Sequence, residues 1–217
     1  MRHHPIPSVT ERLQYRPIWL VRGIYLPEDL DHFSRGSIVD ENNEKIESVV
    51  LGKTLGLIKR CLSIDVPHLW VVYPRCRDSE QLHLQISGIW EPSTLDKTLS
   101  EDSTLQENPD NAFAQSLDKV EEGDDYFSIR GELIYTKPET KDLVVKIRQK
   151  AKKKSKGNSK KSFPFKLKLK GEIPLEFLRN FVSLDVRRKG QILYVEDKQI
   201  LGPIKTKNKS NLKLFTS

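Results

Sequence analysis

The 217-residue chain is short of most things that would name a reaction. It has two cysteines, Cys61 and Cys76. Two are too few for a disulfide scaffold and fit a reducing compartment, so a cytoplasmic protein is expected. No run approaches 18 apolar residues, which excludes a transmembrane helix. The opening Met1-Arg2-His3-His4-Pro5-Ile6-Pro7 lacks the apolar stretch of a signal peptide. Hydrophobic residues make up only 36% of the chain and charged residues 31%, so some of it should be linker or exposed loop.

Catalytic and metal-binding patterns are also missing. Gly52-Lys53-Thr54 looks like the tail of a phosphate-binding loop, but the glycine needed five residues earlier is Glu47. Cys61, His68, Cys76 and His83 are separated by 6, 7 and 6 residues, too far apart for the tight turns that present zinc ligands in pairs. There is no Gly-x-Ser-x-Gly nucleophile turn. Carboxylates are dense only in a flexible-looking stretch, where none is held at catalytic spacing. No catalytic residue, metal ligand or cofactor is assigned, and an enzyme is not expected.

What is present is charge, unevenly spread. Residues 1–90 carry 11 basic and 11 acidic side chains. Residues 91–125 carry 2 basic and 11 acidic, and residues 126–217 carry 24 basic and 8 acidic. The acidic stretch is rich in Ser, Asp, Glu, Asn and Pro and cannot bury enough surface to offset chain entropy, so residues 93–124 read as a linker. Within it, Phe113, Leu117 and Val120 have the spacing of a short docking helix.

The second half alternates with period 2, the mark of strands with one face on a core. Phe127–Arg130, interrupted by Gly131 before Leu133–Tyr135, is followed by Asp142–Arg148 and Phe163–Lys170. In the last, Phe163, Phe165, Leu167 and Leu169 point inward and Lys166, Lys168 and Lys170 outward. A short helix is expected over Leu175–Phe181. Val182–Arg187 alternates next, then a Lys189-Gly190 turn, with Gln191–Glu196 and Gln199–Ile204 as closing strands.

The first half echoes this. Trp19–Tyr25 parallels Phe127–Tyr135, His68–Arg75 parallels Lys141–Arg148, and Leu82–Ile89 parallels Phe165–Ile173, which suggests a duplicated β unit. Residues 28–66 read as an insertion, with a hairpin around Asp40–Asn43 and a stretch, Leu55–Leu62, that fits strand or helix equally.

The order of strands with a short helix before the last ones resembles the OB-fold, a five-stranded barrel. The expected fold class is therefore mostly β: two small OB-like barrels in tandem, at 10–92 and 125–205, joined by the acidic linker, with disordered ends and a basic tail at 206–217. The resemblance implies oligonucleotide binding on the face of the second and third strands.

The basic signal falls where that resemblance points. Seven of the 14 residues 149–162 are Lys: Lys150, Lys152, Lys153, Lys154, Lys156, Lys160 and Lys161. Lys146, Arg148, Lys166, Lys168 and Lys170 extend the charge along the flanking strands. These residues and Arg187 are the candidate phosphate contacts. The predominance of Lys over Arg favours nonspecific backbone contact. Tyr135 and Tyr194 are candidate platforms for bases. The expected partner is RNA or single-stranded DNA, bound without catalysis and largely without sequence preference. The alternative is an assembly factor that grips a protein through the Trp-bearing first domain, with Trp90 as anchor, while the basic loop touches an acidic partner.

Overall fold

The computed structural model describes residues 5–29, 31–76, 82–91, 120, 125–148 and 164–204. The first barrel contains β1 (Arg16–Pro27), β2 (Arg35–Val39), β3 (Lys45–Val50), α1 (Gly52–Cys61), β4 (His68–Cys76) and β5 (Leu82–Ile89). The second contains β6 (Tyr126–Lys137), β7 (Asp142–Ile147), β8 (Phe165–Lys170), a 3-10 turn at Leu175–Phe177, β9 (Asn180–Lys189) and β10 (Ile192–Pro203). In each, the first strand pairs with the second and fourth, the second with the third, and the fifth with the fourth. A short parallel pairing of the third strand with the fifth closes the ring. This is OB-fold connectivity, twice.

Alternation decides which way each strand faces. In β7 and β8, Leu143, Val145, Ile147, Leu167 and Leu169 are buried, and Lys166 and Lys168 are exposed. The long first strands must bend to serve both sides of a barrel. Gly23 and Gly131 sit at the bends. A Cβ on Gly23 would lie 2.4 Å from the carbonyl oxygen of Val39, and one on Gly131 2.7 Å from that of Lys146. Only glycine lets the backbones approach so closely.

The barrels are not beads on a string. The N-terminal ends of β1 and β6 pair antiparallel, from Arg16↔Arg130 to Leu20↔Tyr126. Trp19 and Phe127 are equivalent positions, each four residues before its bend glycine. They are also partners in this pairing, so the joint has local pseudo-twofold symmetry. Their rings stack with centroids 4.0 Å apart, both fully buried, and merge the two interiors into one core. Such a stack contributes about 0.5–1.5 kcal/mol beyond the area it buries.

The other side of the joint is covered too. Ile6, Ile18, Leu20 and Leu69 form a second cluster, with Trp90, Val120 and Tyr126 packed against it. The segment before β1 is tied down by arginines. Arg130 donates to the carbonyl of Arg12 at 2.6 Å, and Arg16 to that of Pro7 at 2.6 Å. Arg188 of β9 forms a buried clamp across the joint. It pairs with Asp40, with Glu44 at 2.8 Å and with Asp125 at 3.0 Å. Burial works against the Asp40 carboxylate. The Arg188 hydrogen bond and the amides of Glu44 and Asn42 outweigh it and hold Asp40 below the usual carboxylate range.

Several expectations need correction. Residues 28–66 are no insertion: they supply β2, β3 and α1, which the barrel needs to close. Leu55–Leu62 falls largely in α1, a helix. The parallel between Trp19–Tyr25 and Phe127–Tyr135 is kept by the topology, and the other two are not. His68–Arg75 occupies the place of β9, not β7, and Leu82–Ile89 the place of β10, not β8. Alternating strands align with one another in any register, so similar patterns matched the wrong partners. The two closing strands expected at Gln191–Glu196 and Gln199–Ile204 are one strand, β10, irregular near Val195 and Ile200. Gly131 bends β6 and does not end it. The N-terminal region before residue 10 is anchored from Pro5 onward, with Ile6 buried. The linker 93–124, apart from Val120, and the tail 206–217 lie outside the described residues, as do Phe113 and Leu117. Among the described residues no helix is long and apolar enough to cross a membrane.

Candidate nucleic-acid interface

The register across β6, β7, β8 and β10 puts the candidate residues in rows on the outer face of the second barrel. Glu132, Lys146 and Lys166 form one row. Tyr135, Val144 and Lys168 form the next. Lys137, Asp142, Lys170 and Tyr194 form the third. Directly opposed residues share a face, so the lysines on β7 and β8 and both tyrosines look the same way. Tyr135 is 45% exposed and Tyr194 37% exposed.

The face is not uniformly cationic. Glu132 lies 3.5 Å from the Lys146 ammonium and 3.6 Å from the Arg148 guanidinium. Asp142 meets the Lys170 ammonium at 2.8 Å, and that lysine also donates to the carbonyl of Thr140. The Lys170 hydrogen bond, then that of Thr140, holds the Asp142 carboxyl below its ordinary range. Glu132 and Asp142 offset part of the positive charge that these strands set side by side. Lys166 and Lys168 are exposed. The Lys189 ammonium sits 5.6 Å from the centre of the Tyr194 ring, a cation–π contact that steadies one side of the ring.

Beside this third row lies a groove of about 580 Å³ whose walls include Thr140, Lys141, Gly171, Tyr194 and Lys198. Lys198 is turned back to the carbonyl of Glu172. Lys137, Lys141 and Lys198 were not singled out from the sequence. A strand ending at Tyr135 left Lys137 outside the pattern. Continuing the alternation past Tyr135 by two residues would have found it.

Other candidates sit elsewhere. Arg187 is one strand further round, held by Glu196 at 3.1 Å and lying 5.3 Å from the Tyr126 ring centre. It borders the face and is not on the β7–β8 pair. Lys150, Lys152, Lys153, Lys154, Lys156, Lys160 and Lys161 lie outside the described residues, as does Phe163. Phe165 packs half-buried against the core, with the Arg75 guanidinium 4.1 Å from its ring centre.

Trp90 was expected as an exposed anchor at a domain edge. It is half-buried against the Ile18–Leu20 cluster, with its indole Nε1 shielded from solvent. Trp19 and Trp70 are fully buried. The two histidines of the supposed zinc pattern are structural. His68 contacts Glu91 through Nδ1 and the Ser63 carbonyl at 2.7 Å through Nε2, and His83 lies 3.6 Å from Glu47.

Comparison with protein families matches both halves. Residues 17–97 match the family described as PatR RNA-binding protein, N-terminal OB-fold domain. Residues 129–202 match the family described as cyanobacterial OB-fold-like RNA-binding domain, C-terminal. Comparison with curated proteins and with solved structures gives no match. The two family matches follow the order of the two barrels and together span more than half of the chain. The chain therefore carries two OB-fold domains in tandem, each matching a family of RNA-binding domains.

Proposed function

We propose that this protein binds single-stranded RNA without catalysis, and that the outer face of β6, β7, β8 and β10 is where the strand lies. The observation that carries the reading is the register that lines up Lys146 with Lys166, Val144 with Lys168 and Asp142 with Lys170, between Tyr135 and Tyr194. Lysines at strand spacing suit a phosphate chain, and exposed tyrosine rings suit unstacked bases. Segment 149–162 connects β7 to β8 in the chain, and its seven lysines belong to the proposed contact. Point charges of this kind contact the backbone and read little sequence, so recognition is largely nonspecific.

The family descriptions support RNA over DNA as the natural ligand. Trp90, half-buried against the Ile18–Leu20 cluster, offers a smaller apolar surface than the assembly-factor reading expected. A salt titration of affinity for a single-stranded RNA tests the proposal. Affinity should fall steeply, with log K dropping by about 0.7 per phosphate neutralised for each tenfold rise in salt. A flat salt response, or equal binding by a Lys146→Glu, Lys166→Glu, Lys168→Glu triple variant, would contradict it.

A further inference from the structure

The second barrel is closed only narrowly between its third and fifth strands. Its third and fifth strands meet at only one position, Tyr194↔Lys170, so β8 and β10 part company before that point. The first barrel closes on the opening from outside. Arg75 of β4 lies over Phe165 at the start of β8, and Leu82 at the start of β5 reaches the gap itself.

A pocket of about 300 Å³ results at this seam. Its apolar lining includes Leu82 from the first barrel and Ile192 and Leu193 from the second. Lys168 and Lys170 stand at its edge, with Asp142 beside Lys170 and Gln191 next to Ile192. Alternation turns Leu193 into the core and leaves Ile192, 42% exposed, on the outer side of the pocket.

We propose that this seam is a base-binding pocket: one unstacked RNA base rests against Ile192, with Leu82 in the pocket's floor, while its phosphate is held by Lys168 and Lys170. The apolar lining matches the face of a base, and the adjacent ammonium groups match the backbone that carries it. The volume lies at the small end of ligand pockets and suits a single base, not a duplex. The pocket rests on the RNA reading above and adds to it that the binding unit is the pair of barrels. The second barrel alone would lack Leu82.

The test uses the full chain and a ten-nucleotide single-stranded RNA of mixed sequence, with affinity read by fluorescence anisotropy. Ile192→Ala and Leu82→Ala should each weaken binding about five- to tenfold, within what one base contact contributes, and leave the salt slope unchanged. An RNA with single abasic positions gives a second readout. The unmodified protein should lose affinity at one such position, and the Ile192→Ala protein should lose less there. Leu82 is buried, so its variant is also checked for folding by thermal unfolding. If it does not fold, the milder Leu82→Val replaces it. Binding by the Ile192→Ala protein equal to that of the unmodified protein would overturn the pocket and leave the RNA reading standing. No RNA binding by the unmodified protein would overturn both.

Discussion

The two barrels share one connectivity and present opposite surfaces. On the second, the face of β6, β7, β8 and β10 sets Lys137, Lys146, Lys166, Lys168 and Lys170 against Glu132 and Asp142, with two exposed tyrosines. The corresponding face of the first barrel has rows of Ile24, Val39 and Lys45, of Leu26, Ser37 and Glu47, and of Arg35, Val49, Gln85 and Tyr73. It is mostly apolar or neutral. The inward residues of the two barrels are interchangeable in kind, because a core asks only for volume and apolarity. The outward ones are not, and there the barrels differ in chemistry. The fold occurs twice and the cationic face once.

The largest expected effect lies at the joint that makes the comparison possible. Arg188→Met leaves Asp40 buried without its partner and should cost about 3–5 kcal/mol in chemical denaturation. The sign of its pH dependence is fixed. Asp40 is held below its ordinary pKa in the folded protein, so its contribution is present above about pH 4 and lost as pH falls through the lowered value. The gap between variant and parent should therefore narrow in acid. An equal gap at pH 3 and pH 7 would contradict the clamp.

Charge reversal should separate the two faces. The Lys146→Glu, Lys166→Glu, Lys168→Glu triple should lose about a hundredfold in RNA affinity at low salt. Arg35→Glu with Lys45→Glu on the first barrel should change it by no more than about threefold. Similar losses from both sets would erase the distinction between the barrels.

The bend glycines sharpen the comparison at the level of fold. Gly23→Ala and Gly131→Ala should each destabilise by about 1–3 kcal/mol, with Gly23 the worse because its clash with Val39 is the closer. Urea titration of both variants ranks them.

The smallest effect belongs to His68. Burial opposes its charge, but the Glu91 and Ser63 hydrogen bonds outweigh burial and raise its pKa above the ordinary value. Its stabilising contribution is full below about pH 6.5 and lost as pH rises through the raised value. Glu91→Gln should flatten that slope in melting temperatures measured from pH 6 to pH 9.

Much of this was legible in the sequence because strict alternation is hard to mistake. Phe165–Lys170 declared its faces, and those faces plus the OB-like layout located the basic surface. Tyr135 and Tyr194 were named only for their rings, and the structure leaves both exposed. What the sequence hid was long-range. No local signal says that Trp19 will stack on Phe127, or that Arg188 will reach Asp40, 148 residues away in the chain. The first barrel was misread for a related reason. Its helix is a full ten residues where the second barrel has a three-residue turn, so the two halves looked unlike where they are equivalent. Trp90 reads as exposed at a domain edge, and the cluster around Ile6 half-covers it, a long-range contact with no local signal.

Photocrosslinking of the full chain to a 4-thiouridine-containing single-stranded RNA, with the attached residues read by mass spectrometry, tests the central claim most directly. The account predicts adducts concentrated around Tyr135, Lys166–Lys170 and Ile192–Tyr194. Adducts concentrated instead on Ile24, Leu26, Val39 and Val49 would mean that the neutral barrel holds the RNA, and would contradict it.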